Sequence, residues 1–177
     1  MKNEIRKQII KIRNESSSKA FNEQNDYIIR EIQKDEHFIN AKCVGLFYPL
    51  KNEVNLIPLT RGNKKYAFPK VEPDGIHFYL LDANTSFKKS KFGVLEPADG
   101  IKVDQEIDYL LVPALAISKD KNRIGFGKGY YDQFLALHRP KHIYGVIYDF
   151  QEIESFNTEP HDQKLDGYFK GSKWTLY

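Results

Sequence analysis

The sequence predicts an α/β protein, a single-domain three-layer sandwich with a mainly parallel sheet and helices on both faces. Three observations predict it. The apolar runs 42–48 and 108–117 are continuous rather than alternating, which is typical of strands buried on both faces. Helical periodicity marks the N-terminal segment and the stretch that begins at Gly129. A further apolar run, 142–147, follows that helix, and a right-handed crossover would lay it parallel to strand 108–113.

The first helix has an apolar face and a basic face. The apolar face carries Ile5, Ile9 and Ile12, and the basic face carries Lys2, Arg6 and Arg13. The basic stripe fits two interpretations, an ordinary solvated face or a phosphate contact made by the start of the helix. Serines at 16–18 then break the helix and can cap a second one over about 19–34.

The strands predicted next bring one candidate binding residue. Strand 42–48 ends at Pro49, and Glu53 follows it, at the position where α/β proteins often place ligand-binding groups. An exposed turn carboxylate explains Glu53 equally well. Short strands are predicted at 65–68 and 76–81, and the segment 87–100 is rich in turn residues, so we expect a long surface loop there.

The densest motif is the glycine-rich run RIGFGKGYYD, which starts at Arg123 directly behind the second apolar run. Glycines at 125, 127 and 129 let the backbone approach a ligand and turn its amides towards an anion. The loop then meets a helix N-terminus, which favours phosphate, and Arg123 and Lys128 add positive charge. The spacing matches neither the Walker A motif nor the dinucleotide-binding fingerprint.

Acidic residues near this motif are ambiguous. Asp132, in the first turn of the helix, either stabilises the helix dipole by about 0.3 to 1 kcal/mol or holds Mg²⁺ against a phosphate. Glu159, His161, Asp162 and Asp166 fall together in the tail, before a short strand predicted at 168–170. Clustered acids near a phosphate site suggest a metal, although a His-Asp pair is also common in turns and caps.

Composition limits the classes of function. The chain of 177 residues suits one compact domain, residues 1–177, and its 41% hydrophobic content is enough for a core. The single cysteine, Cys43, excludes an intrachain disulfide and a cysteine-based metal site. The sequence has no long apolar segment and no leader pattern, so we expect no membrane partner and a cytoplasmic location. A net charge of +3 suits small anionic ligands and falls short of the strong footprint of a nucleic-acid binder, but composition alone leaves both classes open.

Taken together, these motifs resemble the 5-formyltetrahydrofolate cyclo-ligase family nearly end to end. The shared features are the basic first helix, Glu53-Val54, Phe68-Pro69, Phe92-Gly93, Glu96-Pro97, Val112-Pro113, RIGFGKGYYD, Glu159-x-His161-Asp162 and Leu165-Asp166. The glycine block followed by Tyr-Tyr-Asp is the specific part. The sequence departs from the usual family pattern at Leu56, at Ile117-Ser118 and at Asn157, which puts peripheral contacts in doubt.

The resemblance implies that the protein uses ATP, as co-substrate, and Mg²⁺ to phosphorylate the formyl oxygen of 5-formyltetrahydrofolate and to close it to 5,10-methenyltetrahydrofolate, with release of ADP and phosphate. The implied ATP-binding residues are Lys2, Asn3, Arg6, Arg123, Gly125, Phe126, Gly127, Lys128, Gly129, Tyr130 and Tyr131. The implied folate-binding residues are Tyr48, Glu53, Phe126, Gly127, Lys128, Gly129 and Tyr130. Asp132 and Asp166 would hold the metal, and Arg123 and Lys128 would be catalytic.

The partners expected are therefore a reduced folate and ATP, and we expect a monomer or a weak dimer. The alternative from another class is a non-catalytic module of the same fold that binds a phosphate ligand or nucleic acid through Lys2, Arg6 and Arg13. Asp132 and Asp166 would have no role against a nucleic-acid backbone, which distinguishes the two hypotheses.

Overall fold

The structure is a computed structural model that describes residues 1–172; residues 173–177, the end of the predicted domain, lie outside the described residues. The described chain contains four α-helices. They are α1 (Lys2–Glu15), α2 (Asn22–Lys34), α3 (Glu36–Asn40) and α4 (Tyr130–Leu137). A 3₁₀ turn, Ser18–Phe21, precedes α2, so the second helix begins three residues later than predicted. Among the described residues, no helix is both long enough and apolar enough to cross a membrane.

A six-stranded sheet forms the centre of the molecule. Its strands are β1 (Cys43–Gly45), β2 (Lys65–Glu72), β3 (Gly75–Leu80), β6 (Tyr109–Pro113), β9 (His142–Val146) and β11 (Gly167–Phe169). Their order is β11-β9-β6-β1-β2-β3, and every neighbouring pair is parallel except β2 with β3. The mainly parallel sheet is confirmed, and so is the parallel pairing of the strands that flank the glycine motif.

The two faces of this sheet belong to two different apolar cores, because side chains alternate along each strand. One core joins α2 and α3 to the face that carries Val44, Tyr66 and Leu111. The other joins α4, through Phe134, to the face that carries Leu110. Helices therefore cover both faces, and the three-layer prediction is confirmed.

The first helix lies outside these layers, against a small second sheet that the sequence analysis did not predict. Its strands are β7 (Ala116–Ser118), β8 (Arg123–Ile124) and β10 (Glu152–Ile153), in the order β10-β7-β8. Ile9 of α1 packs with Leu115, Ala116, Ile124 and Phe156 in a third apolar cluster. This contact holds α1 beside the strand that leads into the glycine motif.

The prediction of a long surface loop at 87–100 is wrong. The segment contains a hairpin, β4 (Phe87–Lys89) paired with β5 (Leu95–Pro97). Its tip turns at Gly93, where the backbone takes a φ of 80°. Strands of three residues are too short to give a clear alternating pattern, and the turn residues at 90–93 dominate the local sequence.

An ion-pair cluster lies on the edge strand β3. His77 Nδ1 is 2.6 Å from Asp104 Oδ2, and His77 Nε2 is 2.8 Å from Asp74 Oδ1. Glu72 lies 3.6 Å from the same ring and 3.3 Å from Lys102. We refer to these residues as the His77 cluster. Burial lowers the pKa of the His77 ring, but the hydrogen bonds to Asp104 and Asp74 outweigh it, so the pKa is raised overall.

Candidate active site

A cleft of about 900 Å³ opens at the carboxyl ends of β1 and β6. From β1 the chain continues to β2 on one side, and it later returns to place β6 on the other side of β1. Open α/β sheets bind their ligands at such a switch point, outside the carboxyl ends of the strands. Tyr48, beyond β1, and Pro113, at the end of β6, both line the cleft.

The glycine motif forms one wall of the cleft with the conformation that its sequence predicts. Gly127 and Gly129 have φ values of 103° and 72°, which other residues rarely adopt. Gly129 is the N-cap of α4, so the loop ends on a helix N-terminus. A Cβ at Gly125 would lie 2.6 Å from Arg123 Nη2, so a side chain there would displace the arginine.

The start of α1 forms the wall that faces this loop. Arg6 Nε donates a hydrogen bond to the Gly125 carbonyl oxygen at 2.8 Å, and Arg6 Nη1 donates to Asn3 Oδ1 at 2.7 Å. Lys2 Nζ donates to Asp162 Oδ2 at 2.7 Å. Of the two interpretations of the basic stripe, the structure favours a helix start that faces the cleft.

Arg123, in β8 of the small sheet, contacts the end of β6 and the start of α4. Its Nε donates to the Pro113 carbonyl oxygen at 2.9 Å, and its guanidinium lies 5.0 Å from the centre of the Tyr131 ring. Burial lowers the pKa of Arg123, and the negative charges of Asp132 and Asp162 oppose that shift. Both carboxylates are therefore close enough to act on the same guanidinium.

The structure does not bring Asp166 to Asp132, so the predicted metal pair needs correction. Asp166 precedes β11, and its Oδ2 accepts a hydrogen bond from the Ile143 amide at the amino end of the sheet. Its carboxylate lies 3.6 Å from Arg139, beyond the far end of α4 from Asp132. Asp166 is thus absent from the lining of the cleft, which opens at the carboxyl ends of the strands.

Asp162, rather than Asp166, shares the cleft with Asp132. Both Asp132 and Asp162 line the cleft. Asp132 Oδ1 accepts a hydrogen bond at 3.0 Å from the backbone amide of Gln163, the residue that follows Asp162. Asp162 also accepts a hydrogen bond from the Glu159 amide at 2.9 Å. The turn interpretation of the His161-Asp162 pair is therefore correct, and the same turn carries Asp162 to the cleft.

Glu53 and Tyr48 line the same cleft and are both half-buried. Glu53 Oε1 accepts a hydrogen bond from the Leu50 amide at 2.7 Å, so the residue does stabilise a turn. Burial raises the pKa of Glu53, and the Leu50 amide and the charges of Arg13 and Arg123 oppose the shift. A carboxyl group with a raised pKa in a cleft is a candidate functional group.

The cleft also has lining residues that were not predicted as site residues from the sequence. The hairpin β4-β5 contributes Ser90, Phe92, Val94 and Glu96, and other segments contribute Met1, Phe47, Leu50, Pro69, Val71, Ile76, Ile124, Asn157 and Thr158. Two lining residues from different segments, Phe92 and Tyr130, have ring centres 6.4 Å apart. The shared motifs Phe92-Gly93 and Glu96-Pro97 were the available signal for the hairpin.

All the predicted ATP-binding, folate-binding and catalytic positions line this one cleft, and of the predicted site residues only Asp166 does not. The fold and the cleft define an α/β protein that can hold an anion and a planar ligand side by side at the switch point of its sheet.

Comparisons with known proteins identify the family. Residues 1–169 match the model described as the 5-formyltetrahydrofolate cyclo-ligase family. The 5-formyltetrahydrofolate cyclo-ligase of Mycoplasma genitalium is 36% identical over 131 residues, which cover 71% of this chain and 70% of that protein. The enzyme of the same name from Mycoplasma pneumoniae is 31% identical over 176 residues, which cover 93% and 95%. The chain belongs to the 5-formyltetrahydrofolate cyclo-ligase family.

Solved structures agree with this assignment. The NMR structure of the Aquifex aeolicus 5,10-methenyltetrahydrofolate synthetase superimposes with a TM-score of 0.86 at 30% identity, covering 97% of this chain and 90% of that one. The 5,10-methenyltetrahydrofolate synthetase of Mycoplasma pneumoniae gives a TM-score of 0.77 at 28% identity, covering 95% and 97%. The mixed, mostly parallel sheet described above is the fold of these neighbours.

Proposed function

We propose that the protein catalyses the ATP-dependent cyclisation of 5-formyltetrahydrofolate to 5,10-methenyltetrahydrofolate. Family membership supports the reaction. The observation that carries the assignment of residues is that one cleft holds the glycine loop and the basic start of α1 together with Glu53 and Tyr48. The first group suits a triphosphate and the second suits a pterin.

The triphosphate binds between the glycine loop and α1. The loop ends at the N-terminus of α4, where backbone amides and the helix dipole favour phosphate. Arg6 uses two of its five N–H groups on Asn3 and Gly125, which leaves others for phosphate oxygens. Lys2, Lys128 and Arg123 add positive charge along the same cleft. Phosphoryl transfer depends on such positioning and charge neutralisation more than on covalent help.

Asp132 and Asp162 would hold Mg²⁺ in this arrangement. Mg²⁺ is commonly bound by one or two carboxylates together with substrate phosphates and waters, so two aspartates in the cleft fit its requirements. When bound, the ion would neutralise charge on the phosphate oxygens. Among the described residues, one group of three potential metal ligands lies close together, Glu72, Asp74 and His77 of the His77 cluster, and none of the three lines the cleft.

The folate binds at the other end of the cleft. A pterin ring is flat and carries N–H donors on one edge. The Glu53 carboxylate is a suitable acceptor for that edge, and Tyr48, Phe126 and Tyr130 offer ring faces for stacking. Tyr48 is itself fixed by packing against Phe87, with ring centres 5.5 Å apart.

This placement brings the two reacting groups together. The formyl oxygen attacks the γ-phosphorus, an O–P bond forms, and ADP leaves. N10 then attacks the formyl carbon, loses its proton, and phosphate leaves with the former formyl oxygen. Arg123 and Lys128, at the loop between the two ends, stabilise the negative charge that moves to the leaving groups in both steps.

The remaining proposals concern the protein as a whole. We propose that residues 1–177 act as one domain, as a monomer or a weak dimer, in the cytoplasm. Cys43 is buried as a free thiol, and burial raises its pKa to about 11, which makes it unreactive and suits a reducing compartment.

The test is an ultraviolet absorbance assay, because the methenyl product has its own chromophore. Purified protein is incubated with 5-formyltetrahydrofolate, ATP and Mg²⁺, and ADP is measured in the same samples. We expect product and ADP in equal amounts, and neither when ATP is omitted. The absence of an ATP-dependent signal at high protein concentration would refute the proposed activity.

A further inference from the structure

Arg13 is a buried charge that the proposed mechanism does not use. Its side chain is 5% exposed, although it lies on the basic face of α1. In the described part of the chain, its Nε and Nη2 have no hydrogen-bond partner. Buried guanidinium groups are normally paired, since an unpaired buried charge is destabilising. Arg13 fits neither interpretation of the basic stripe, because it is too buried for a solvated face and does not line the cleft where a phosphate would bind.

The position of Arg13 connects two parts of the cleft wall. Asn52 Nδ2 donates hydrogen bonds to the carbonyl oxygens of Arg13, at 2.8 Å, and of Ser16, at 3.0 Å, which ties the turn that carries Glu53 to the end of α1. The Arg13 guanidinium also lies over the Phe126 ring, 5.6 Å from its centre. Phe126 is 48% exposed and lines the cleft, whereas Arg13 does not line it.

The charge of Arg13 acts on Glu53. The ionisable groups that influence one another around Glu53 are Arg13 from α1, Arg123 from β8, Tyr131 from α4 and Tyr148 after β9. The two arginines favour the ionised form of Glu53, and burial opposes it. Glu53 also affects Arg13, because burial lowers the pKa of Arg13 and the negative charge of Glu53 opposes that shift.

We propose that Arg13 is a positioning residue for the folate end of the cleft. From behind the lining its guanidinium holds the Phe126 ring in place and, because Asn52 ties the Glu53 turn to the end of α1, sets a positive charge behind the Glu53 carboxylate, so that ring and carboxylate are ready for the pterin. This inference rests on the proposed function, since it deepens the role of Glu53 and Phe126. The alternative is a structural one, in which Arg13 only stabilises the last turn of α1 through the helix dipole.

The first measurement needs no substrate. The Glu53 carboxyl is followed by ¹³C NMR between pH 3 and 9, and its signal is assigned by its loss in Glu53→Gln. In Arg13→Met we expect the Glu53 titration midpoint to rise by about half to one pH unit, less than the shift caused by a charge in direct contact. Arg13→Lys, which keeps the charge, should restore most of the midpoint. Lys11→Met removes an exposed charge from the same helix and should change nothing.

The second measurement is the pH profile of kcat/KM for 5-formyltetrahydrofolate. Glu53 must be ionised to accept the pterin N–H groups, so the rate falls as pH drops through its pKa. In Arg13→Met this acidic limb should move up by the same amount as the NMR midpoint, with KM for folate raised and KM for ATP unchanged. If Arg13→Met does not fold, Arg13→Gln provides the same neutral replacement with a polar group.

The outcomes separate the two proposals. A Glu53 midpoint that stays the same in every folded neutral variant, with only a lower Tm, would overturn the role of Arg13 and leave the helix-dipole explanation. A raised Glu53 midpoint in Arg13→Met, with a midpoint close to wild type in Arg13→Lys, supports the charge effect. If the wild-type protein shows no cyclo-ligase turnover, the proposed activity fails, and the NMR titration still decides whether Arg13 controls Glu53.

Discussion

Replacement of Arg6 by alanine tests whether the start of α1 is part of the ATP site. Arg6 donates one hydrogen bond to the Gly125 carbonyl and one to Asn3, and a Cβ at Gly127 would lie 3.6 Å from its Cζ atom. The guanidinium therefore lies directly against the glycine loop. Its remaining N–H groups are free to contact a phosphate held by that loop.

The expected effect follows from the loss of one such contact. A hydrogen bond to a charged group contributes about 1.5 to 3 kcal/mol. This corresponds to a roughly ten- to hundredfold weaker affinity for ATP. Arg6→Lys keeps the charge but loses the bond to the Gly125 carbonyl, so we expect an intermediate value. The folate KM should change little, because Arg6 belongs to the phosphate end of the cleft.

The assay is the dependence of the initial rate on ATP concentration, supported by calorimetric titration of ATP. Lys7→Ala is the matched control, since Lys7 is the exposed neighbour of Arg6 on the same helix. Far-ultraviolet circular dichroism checks that each variant is folded. If Arg6→Ala bound ATP as tightly as Lys7→Ala, the contact between Arg6 and phosphate would be disproved.

Three further predictions concern other groups. Glu53→Gln keeps the shape of the side chain but removes the charged acceptor, so we expect the folate KM to rise about tenfold or more with the ATP KM unchanged. A folate KM equal to that of the wild type would leave Glu53 as a turn residue only. Asp132→Asn and Asp162→Asn should each move the Mg²⁺ dependence of turnover to higher concentration, whereas Asp166→Asn should not. An effect of Asp132→Asn and Asp166→Asn without an effect of Asp162→Asn would restore the original pair. The raised pKa of His77 means that its cluster stabilises the fold fully below about pH 6.5, the ordinary histidine pKa, and that this contribution is lost as pH rises through the raised pKa. Denaturant midpoints between pH 5 and 9 should therefore show a decline in the wild type that His77→Gln lacks, at about 1.4 kcal/mol for each unit of pKa difference.

Much of the fold could be predicted because its signals are local. The continuous apolar runs of β1 and β6 predict buried parallel strands, and the structure confirms that pairing. The glycine motif predicts a loop with positive φ ending on a helix, which Gly127 and Gly129 have. Each of these features depends on residues that are near neighbours in the sequence.

The sequence could not distinguish residues that share a local pattern. Arg6 and Arg13 lie on the same basic face of one helix, yet one lines the cleft and the other is buried behind Phe126. Asp162 and Asp166 lie in one acidic stretch, yet one is at the cleft. Asp166 is fixed at the amino ends of the strands, away from the cleft, because its backbone and side chain both form hydrogen bonds with the backbone of Ile143 at the start of β9.

The sequence by itself therefore determined the class of fold, the anion-binding loop and the set of charged residues available to the site. Tertiary structure decided which of those charges meet. Arg6 bonds to Gly125 across 119 residues, and Lys2 bonds to Asp162 across 160. Periodicity and motif spacing describe the chain over one or two turns of helix, whereas contacts at such separations depend on strand order and on how α1 packs against the small sheet.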